Sequence, residues 1–121
     1  MATVYDQIGG KDAVAAAVDS LYDRLLADPE LAPRFEGTDM TRQKSHMRAF
    51  MASALGGHEI YRGRDMQAAH ARMKITGHEF DRVVDHLVAT LVSLSVPISL
   101  IEKIGARLAP LRAQIVAPTA A

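Results

Sequence analysis

The stretch Thr76 to Leu94, TGHEFDRVVDHLVATLVSL, decides the fold class. Its apolar residues Phe80, Val83, Val84, Leu87, Leu91 and Leu94 recur at steps of three and four, which gathers them on one side of an α-helix. Thr76 and Glu79 form a capping pair in which each side chain reaches the other's backbone N–H, so the helix start is marked as well. Pro97 interrupts the pattern.

Working outward, the same period fills the intervals between Gly9-Gly10, Asp28-Pro29, Gly37, Gly56-Gly57, Gly63 and Gly77. Thr3 with Asp6 caps a short first helix that Gly9-Gly10 ends. A second helix over 11–27 buries Val14, Val18, Leu21, Tyr22 and Leu25 and stops at Asp28-Pro29. After a short piece at 30–34, Thr38 or Asp39 caps a helix to Leu55 with an inner face of Met40, Gln43, Met47, Phe50 and Met51. His58 to Arg64 is a polar, glycine-containing loop, and Asp65 caps a brief helix from Met66 to about Arg72. Ser99 with Glu102 opens the last helix, with Ile101, Ile104, Leu108, Leu111 and Ile115 inside and a kink at Pro110. No segment alternates as a half-buried strand does. The expectation is all-α.

At 121 residues the chain has room for one domain, spanning 1–121 with a core over about 3–116 and a short flexible tail from Ala117. Apolar residues make up 49% of it, enough for a packed core. Fourteen Lys and Arg balance fourteen Asp and Glu. A nucleic-acid binder needs surplus cations to displace counterions, so that class is disfavoured. With no Cys, the chain cannot form disulfides, thiolate zinc sites, iron–sulfur clusters or thioether-attached haem. No apolar run is long enough for a membrane span and the first residues do not read as a signal peptide. The default expectation is a soluble cytoplasmic protein acting as a monomer.

Five histidines are the obvious reactive groups. His58, His78 and His86 fall on polar faces or in loops and read as solvated. His46 lies at the edge of the face made by Gln43, Met47 and Phe50, and His70 shares a face with Met66 and Met73. No carboxylate joins either of them, so a zinc site lacks ligands. Haem iron, whose porphyrin already fills four positions, needs only one or two axial imidazoles and apolar walls. Six methionines suit such a wall and equally suit an ordinary core.

The chain resembles the truncated haemoglobin family, group I, the short globins with a two-over-two helical sandwich around haem. The landmarks are Tyr5-Asp6-Gln7-Ile8-Gly9-Gly10, Leu21-Tyr22-Asp23-Arg24-Leu25-Leu26-Ala27-Asp28, Phe35-Glu36-Gly37-Thr38-Asp39-Met40, Ala54-Leu55-Gly56-Gly57, Tyr61-Arg62-Gly63-Arg64-Asp65-Met66, Ala69-His70 and His78-Glu79-Phe80. The resemblance implies haem b, held non-covalently, with His70 as proximal iron ligand and Phe35 wedged against the ring. It implies Tyr22 as the distal tyrosine facing the gas ligand, with Gln43 and Met47 one turn apart beside it. Met40, Phe50, Tyr61, Met66, Met73, Ile75, Phe80 and Val83 would complete the wall. Met47 departs from the many relatives that carry glutamine there. His46 resembles the histidine that some cyanobacterial members use as a sixth ligand, which implies a bis-histidyl resting state. The tail lacks the histidine that attaches haem covalently in some relatives, so extractable haem is expected.

The implied function is binding of dioxygen, nitric oxide and carbon monoxide, with oxygen binding or nitric oxide detoxification as the role. A peroxidase-like haem activity is also open, and a catalytic cycle would require an unidentified reductase. Two alternatives stand beside it: electron transfer through a bis-histidyl haem, and a cofactor-free helical sensor or interaction module.

Overall fold

Thr3 starts the first helix as its spacing predicts. Its hydroxyl accepts from the Asp6 N–H at 3.1 Å while its own N–H donates to the Asp6 carboxylate at 3.3 Å. The computed structural model describes residues 3–56, 75–112 and 116. Among these the elements are α1 (Val4–Ile8), α2 (Gly10–Ala27), α3 (Met40–Ala54), α4 (Gly77–Ser93) and α5 (Ile98–Leu108). Two 3-10 turns, Ala32–Phe35 and Ala109–Leu111, follow α2 and α5. The only β pairing among the described residues is an isolated bridge between Ile75 and Val116.

Gly9 separates α1 from α2 at φ +119°, where a side chain would be strained and a Cβ would come within 3.0 Å of Ala13 Cβ. The Tyr5 N–H donates to the Leu55 carbonyl at 3.0 Å, tying α1 to the end of α3. α2 packs against α3 and α4, α1 against α2 and α5, and α4 against α5. Two helix pairs, α2 with α3 and α4 with α5, are thus joined through α2. The core between them holds Val14, Val18, Leu21, Leu25, Leu55, Leu87, Leu91 and Ile104. This is the expected all-α arrangement.

Three local expectations change. Leu94, assigned to the inner face of α4, is 42% exposed. α4 ends before it in a Schellman turn: the Val96 N–H returns to the Leu91 carbonyl and the Ser95 N–H to that of Val92, both at 3.0 Å, with Ser95 at φ +63°. α5 begins at Ile98 without a side-chain cap, not at a Ser99–Glu102 pair. Pro97 makes that pair unnecessary, because its carbonyl accepts from both Leu100 and Ile101 and its fixed φ suits a helix entrance. His86, read as solvated, is bonded to Asp28. The expected loop over 58–64 and the brief helix over 66–72 lie outside the described residues.

Candidate functional site

Tyr22 sits in the C-terminal half of α2, on the apolar stripe that faces the interior, and is 1% exposed. A buried phenol must find a hydrogen-bond partner. Gln43, in the first turn of α3, donates from Nε2 to the Tyr22 hydroxyl at 3.0 Å. The hydroxyl hydrogen has no acceptor among the described residues, so it is free to donate to a further group. Burial pushes the Tyr22 pKa up, and the Gln43 bond only partly opposes this, so the phenol keeps its proton at neutral pH. Phe35, at the end of the 3-10 turn, meets the Tyr22 ring edge-on, with centroids 5.5 Å apart and planes at 82°.

Around this pair stands an apolar wall. Met40, Met47 and Phe50 share the inner face of α3 with Gln43; all are half-buried and pack against the core, as do Phe35 and Val83. Phe80 and Ile75 are half-buried too. Large apolar side chains half-covered by protein, with a neutral donor set among them, fit a flat apolar ring carrying a small polar ligand. Haem has those properties.

Residues 3–117 match the bacterial-like globin family. The chain belongs to that family. It is similar to the group 1 truncated haemoglobin of Synechocystis, at 39% identity over 110 residues that cover 88% of this chain and 89% of that protein. The counterpart from Mycolicibacterium paratuberculosis is 40% identical, over 94% of this chain and 84% of its own. Among solved structures, the ferric truncated haemoglobin of Tetrahymena pyriformis superposes with a TM-score of 0.90 at 32% identity, covering 97% of this chain and all of that one. The 2/2 haemoglobin of Synechococcus, in its cyanomet state with covalently attached haem, gives 0.90 at 35% identity over 95% and 98% of the two chains. The chain is thus a group 1 truncated haemoglobin in sequence and fold, and the usual cofactor of such globins is haem b bound without a covalent link, the Synechococcus protein being one with a covalent attachment.

Among the described residues Tyr22 is joined directly to Gln43 and Phe35, and Phe35, Met40, Met47, Phe50 and Val83 pack against the same core, whereas Phe80 lines a cleft between α4 and α5 and Ile75, just before α4, bridges to Val116. The globin fold does not turn His46 inward: that residue is exposed, although Gln43 and Met47 on either side of it are half-buried. His70, Tyr61, Met66 and Met73 lie outside the described residues.

Two polar clasps join the segment around Phe35 to α4, and neither was visible in the sequence. Arg34 donates from Nε and Nη2 to the two carboxylate oxygens of Glu79, both at 2.6 Å. The Arg34 guanidinium is the main reason the Glu79 carboxyl is pulled down to about 2. Asp28, whose side chain is 1% exposed, accepts from Arg82 Nε at 2.6 Å, pairs with His86 Nε2 at 2.7 Å and accepts the Glu30 N–H at 2.9 Å. Arg82 first, then His86, hold the Asp28 carboxyl well below the usual carboxylate range. His78 is exposed and pairs with Glu30 at 2.8 Å. The two clasps bind the segment after α2 to α4 across the Phe35 turn. Their partners lie 45 to 58 positions apart, so no local pattern announces them.

Proposed function

We propose that the protein holds haem b between His70 and the side formed by Tyr22, Gln43 and Phe35, and uses it to bind dioxygen, nitric oxide and carbon monoxide in the cytoplasm. The observation that carries this reading is the buried Tyr22 hydroxyl, bonded to Gln43 in a core of apolar side chains, with no acceptor for its hydrogen among the described residues. Haem would be held by the His70 imidazole and the apolar wall, and would supply an iron centre able to take up a diatomic ligand.

The residues' parts follow from their chemistry. Tyr22 would donate its hydroxyl hydrogen to a bound gas ligand carrying partial negative charge. A donor in a low-dielectric pocket opposes escape more than one in water does. Gln43 holds the phenol oxygen, so the O–H has one direction left. Phe35, Met40, Met47, Phe50, Ile75, Phe80 and Val83 exclude water and cover the ring. Met47 is at best a weak acceptor, so Tyr22 and Gln43 are the polar pair on the ligand.

The role this serves is nitric oxide detoxification. Nitric oxide, dioxygen and one electron make nitrate, so each turnover consumes an electron that a reductase must deliver. Stopped-flow mixing of the dioxygen complex with nitric oxide tests it. Rapid formation of ferric protein and stoichiometric nitrate is expected; slow conversion would leave gas binding as the function.

Bis-histidyl ligation through His46 and His70 is the second part of the reading. With His46 exposed, its imidazole reaches iron only if α3 turns or slides. Ligands would then wait for His46 to leave, which lowers apparent affinity by the open fraction. A low-spin ferric spectrum that turns high-spin in His46→Ala is the expected result. A high-spin spectrum in the parent would remove both this state and the electron-transfer role that needs it.

A further inference from the structure

The Arg34–Glu79 pair is a two-point side-chain contact between the start of α4 and the turn after α2, and the proposed ligand chemistry gives it no task. Glu79 does two things at once. As the third residue of α4 it completes the capping box, its N–H donating to Thr76 Oγ1 at 3.0 Å and its Oε1 accepting from the Thr76 N–H at 3.0 Å. The same carboxylate takes both prongs of the Arg34 fork, with side-chain exposures of 30% for Arg34 and 15% for Glu79. A planar guanidinium held at two points cannot swivel about the contact, so the pair transmits orientation as well as attraction.

What lies on either side of it gives that rigidity a consequence. Phe35, the next residue after Arg34 in the 3-10 turn, rests edge-on against Tyr22. Tyr22 in turn receives Gln43. On the other side, Thr76 stands six positions after His70 in the chain. One unbroken series of contacts therefore runs Thr76, Glu79, Arg34, Phe35, Tyr22, Gln43.

We propose that Glu79 and Arg34 are positioning residues for the distal pocket: the clamp locks the Phe35 turn to the head of α4 and so sets the angle at which the Tyr22 hydroxyl meets a bound gas. The inference rests on the haem-binding reading for its effect on ligands, but its structural half, the seating of Phe35 on Tyr22, does not. Loss of the clamp frees the turn to rock, so that Phe35 shifts against the Tyr22 ring. The hydroxyl then spends less time aligned with its ligand, and dissociation quickens.

The test uses the full chain as purified. Glu79→Gln keeps a residue able to complete the capping box while removing the charge, and Arg34→Met keeps the stem and removes the fork. Leu108→Ala, which opens the core at the far end of α5, serves as a destabilised control away from the clamp. Two quantities are read: the dioxygen dissociation rate, and the nuclear Overhauser contact between the Phe35 and Tyr22 ring protons in the diamagnetic carbon monoxide form. Each clamp variant is expected to release dioxygen about tenfold faster, the scale of one weakened hydrogen bond to a charged or polarised group. The double variant should be no faster than the quicker single one, because both act through one contact. The ring contact should weaken in both, and Leu108→Ala should change neither quantity. Rates within twofold of the parent, an unaltered ring contact, or an equal change in Leu108→Ala would each overturn the proposal. If the purified protein carries no haem, the haem-binding reading fails on that ground, and the ring contact, measured on the colourless protein, still decides whether the clamp seats Phe35.

Discussion

The Tyr22 hydroxyl accepts a hydrogen bond from Gln43 Nε2 at 3.0 Å, and its own hydrogen meets no acceptor among the described residues. That arrangement leaves a core tyrosine able to act as a donor. Tyr22→Phe should leave the fold nearly unchanged, since the ring stays and half-buried Gln43 can turn toward water. Dioxygen dissociation should rise by roughly 10- to 100-fold, corresponding to the 1.5–3 kcal/mol of a hydrogen bond to a charge-bearing acceptor. Flash photolysis and ligand-replacement kinetics measure it. An unchanged rate would mean that the hydroxyl serves the core alone.

Acid should loosen the two clasps. The folded-state pKa values of Glu79 and Asp28 lie below their ordinary ones, so each carboxylate contributes fully above about pH 4.5 and loses its contribution as pH falls through the folded value. For Glu79 that value is about 2. Urea midpoints should therefore be flat near neutrality and fall steadily between about pH 4.5 and 2. Glu79→Gln should be less stable at pH 7, by on the order of 2 kcal/mol, and should show a shallower acid limb. An acid limb identical in parent and variant would take Glu79 out of the account.

Ser95 holds a left-handed conformation at φ +63° to complete the turn after α4. A residue with a Cβ is strained there, whereas glycine is not. Ser95→Gly should raise stability by about 1 kcal/mol, read as a higher urea midpoint at unchanged slope. A lower midpoint would show that the Ser95 side chain contributes more than its backbone strain costs.

Ile104 is 1% exposed where α5 meets the core. Truncation to alanine removes buried methyl groups and leaves a cavity, so Ile104→Ala should cost about 2–5 kcal/mol. Chemical denaturation measures the loss, and a cost under about 1 kcal/mol would mean that α5 packs more loosely than its burial shows.

Local grammar carried most of the fold into view. The capping pairs Thr3–Asp6 and Thr76–Glu79, the glycines at 9 and 10 and the stop at Asp28-Pro29 all act within a few residues, and each stands where its spacing puts it. Leu94 was misplaced because a periodic pattern says nothing of where a helix stops, and here a Schellman turn ends it one residue early. The last helix was misjudged for a related reason: Pro97 supplies the entrance that Ser99 was expected to give. At the site, Tyr22 and Gln43 were legible as members of inward faces, but their mutual bond spans 21 positions and only the packing of α2 on α3 creates it. Asp28 was read only as part of a helix stop, Glu79 only as a cap, and Arg34 only as the end of a short piece. Their partners are distant in sequence, and a buried carboxylate looks like any other until the fold encloses it.

The absorption spectrum of the purified protein, with and without added hemin, bears most directly on the central claim. A Soret band that survives gel filtration in the parent and disappears in His70→Ala is the predicted outcome. Protein that stays colourless and leaves hemin in the free fraction, or a His70→Ala variant with an undiminished band, would contradict it.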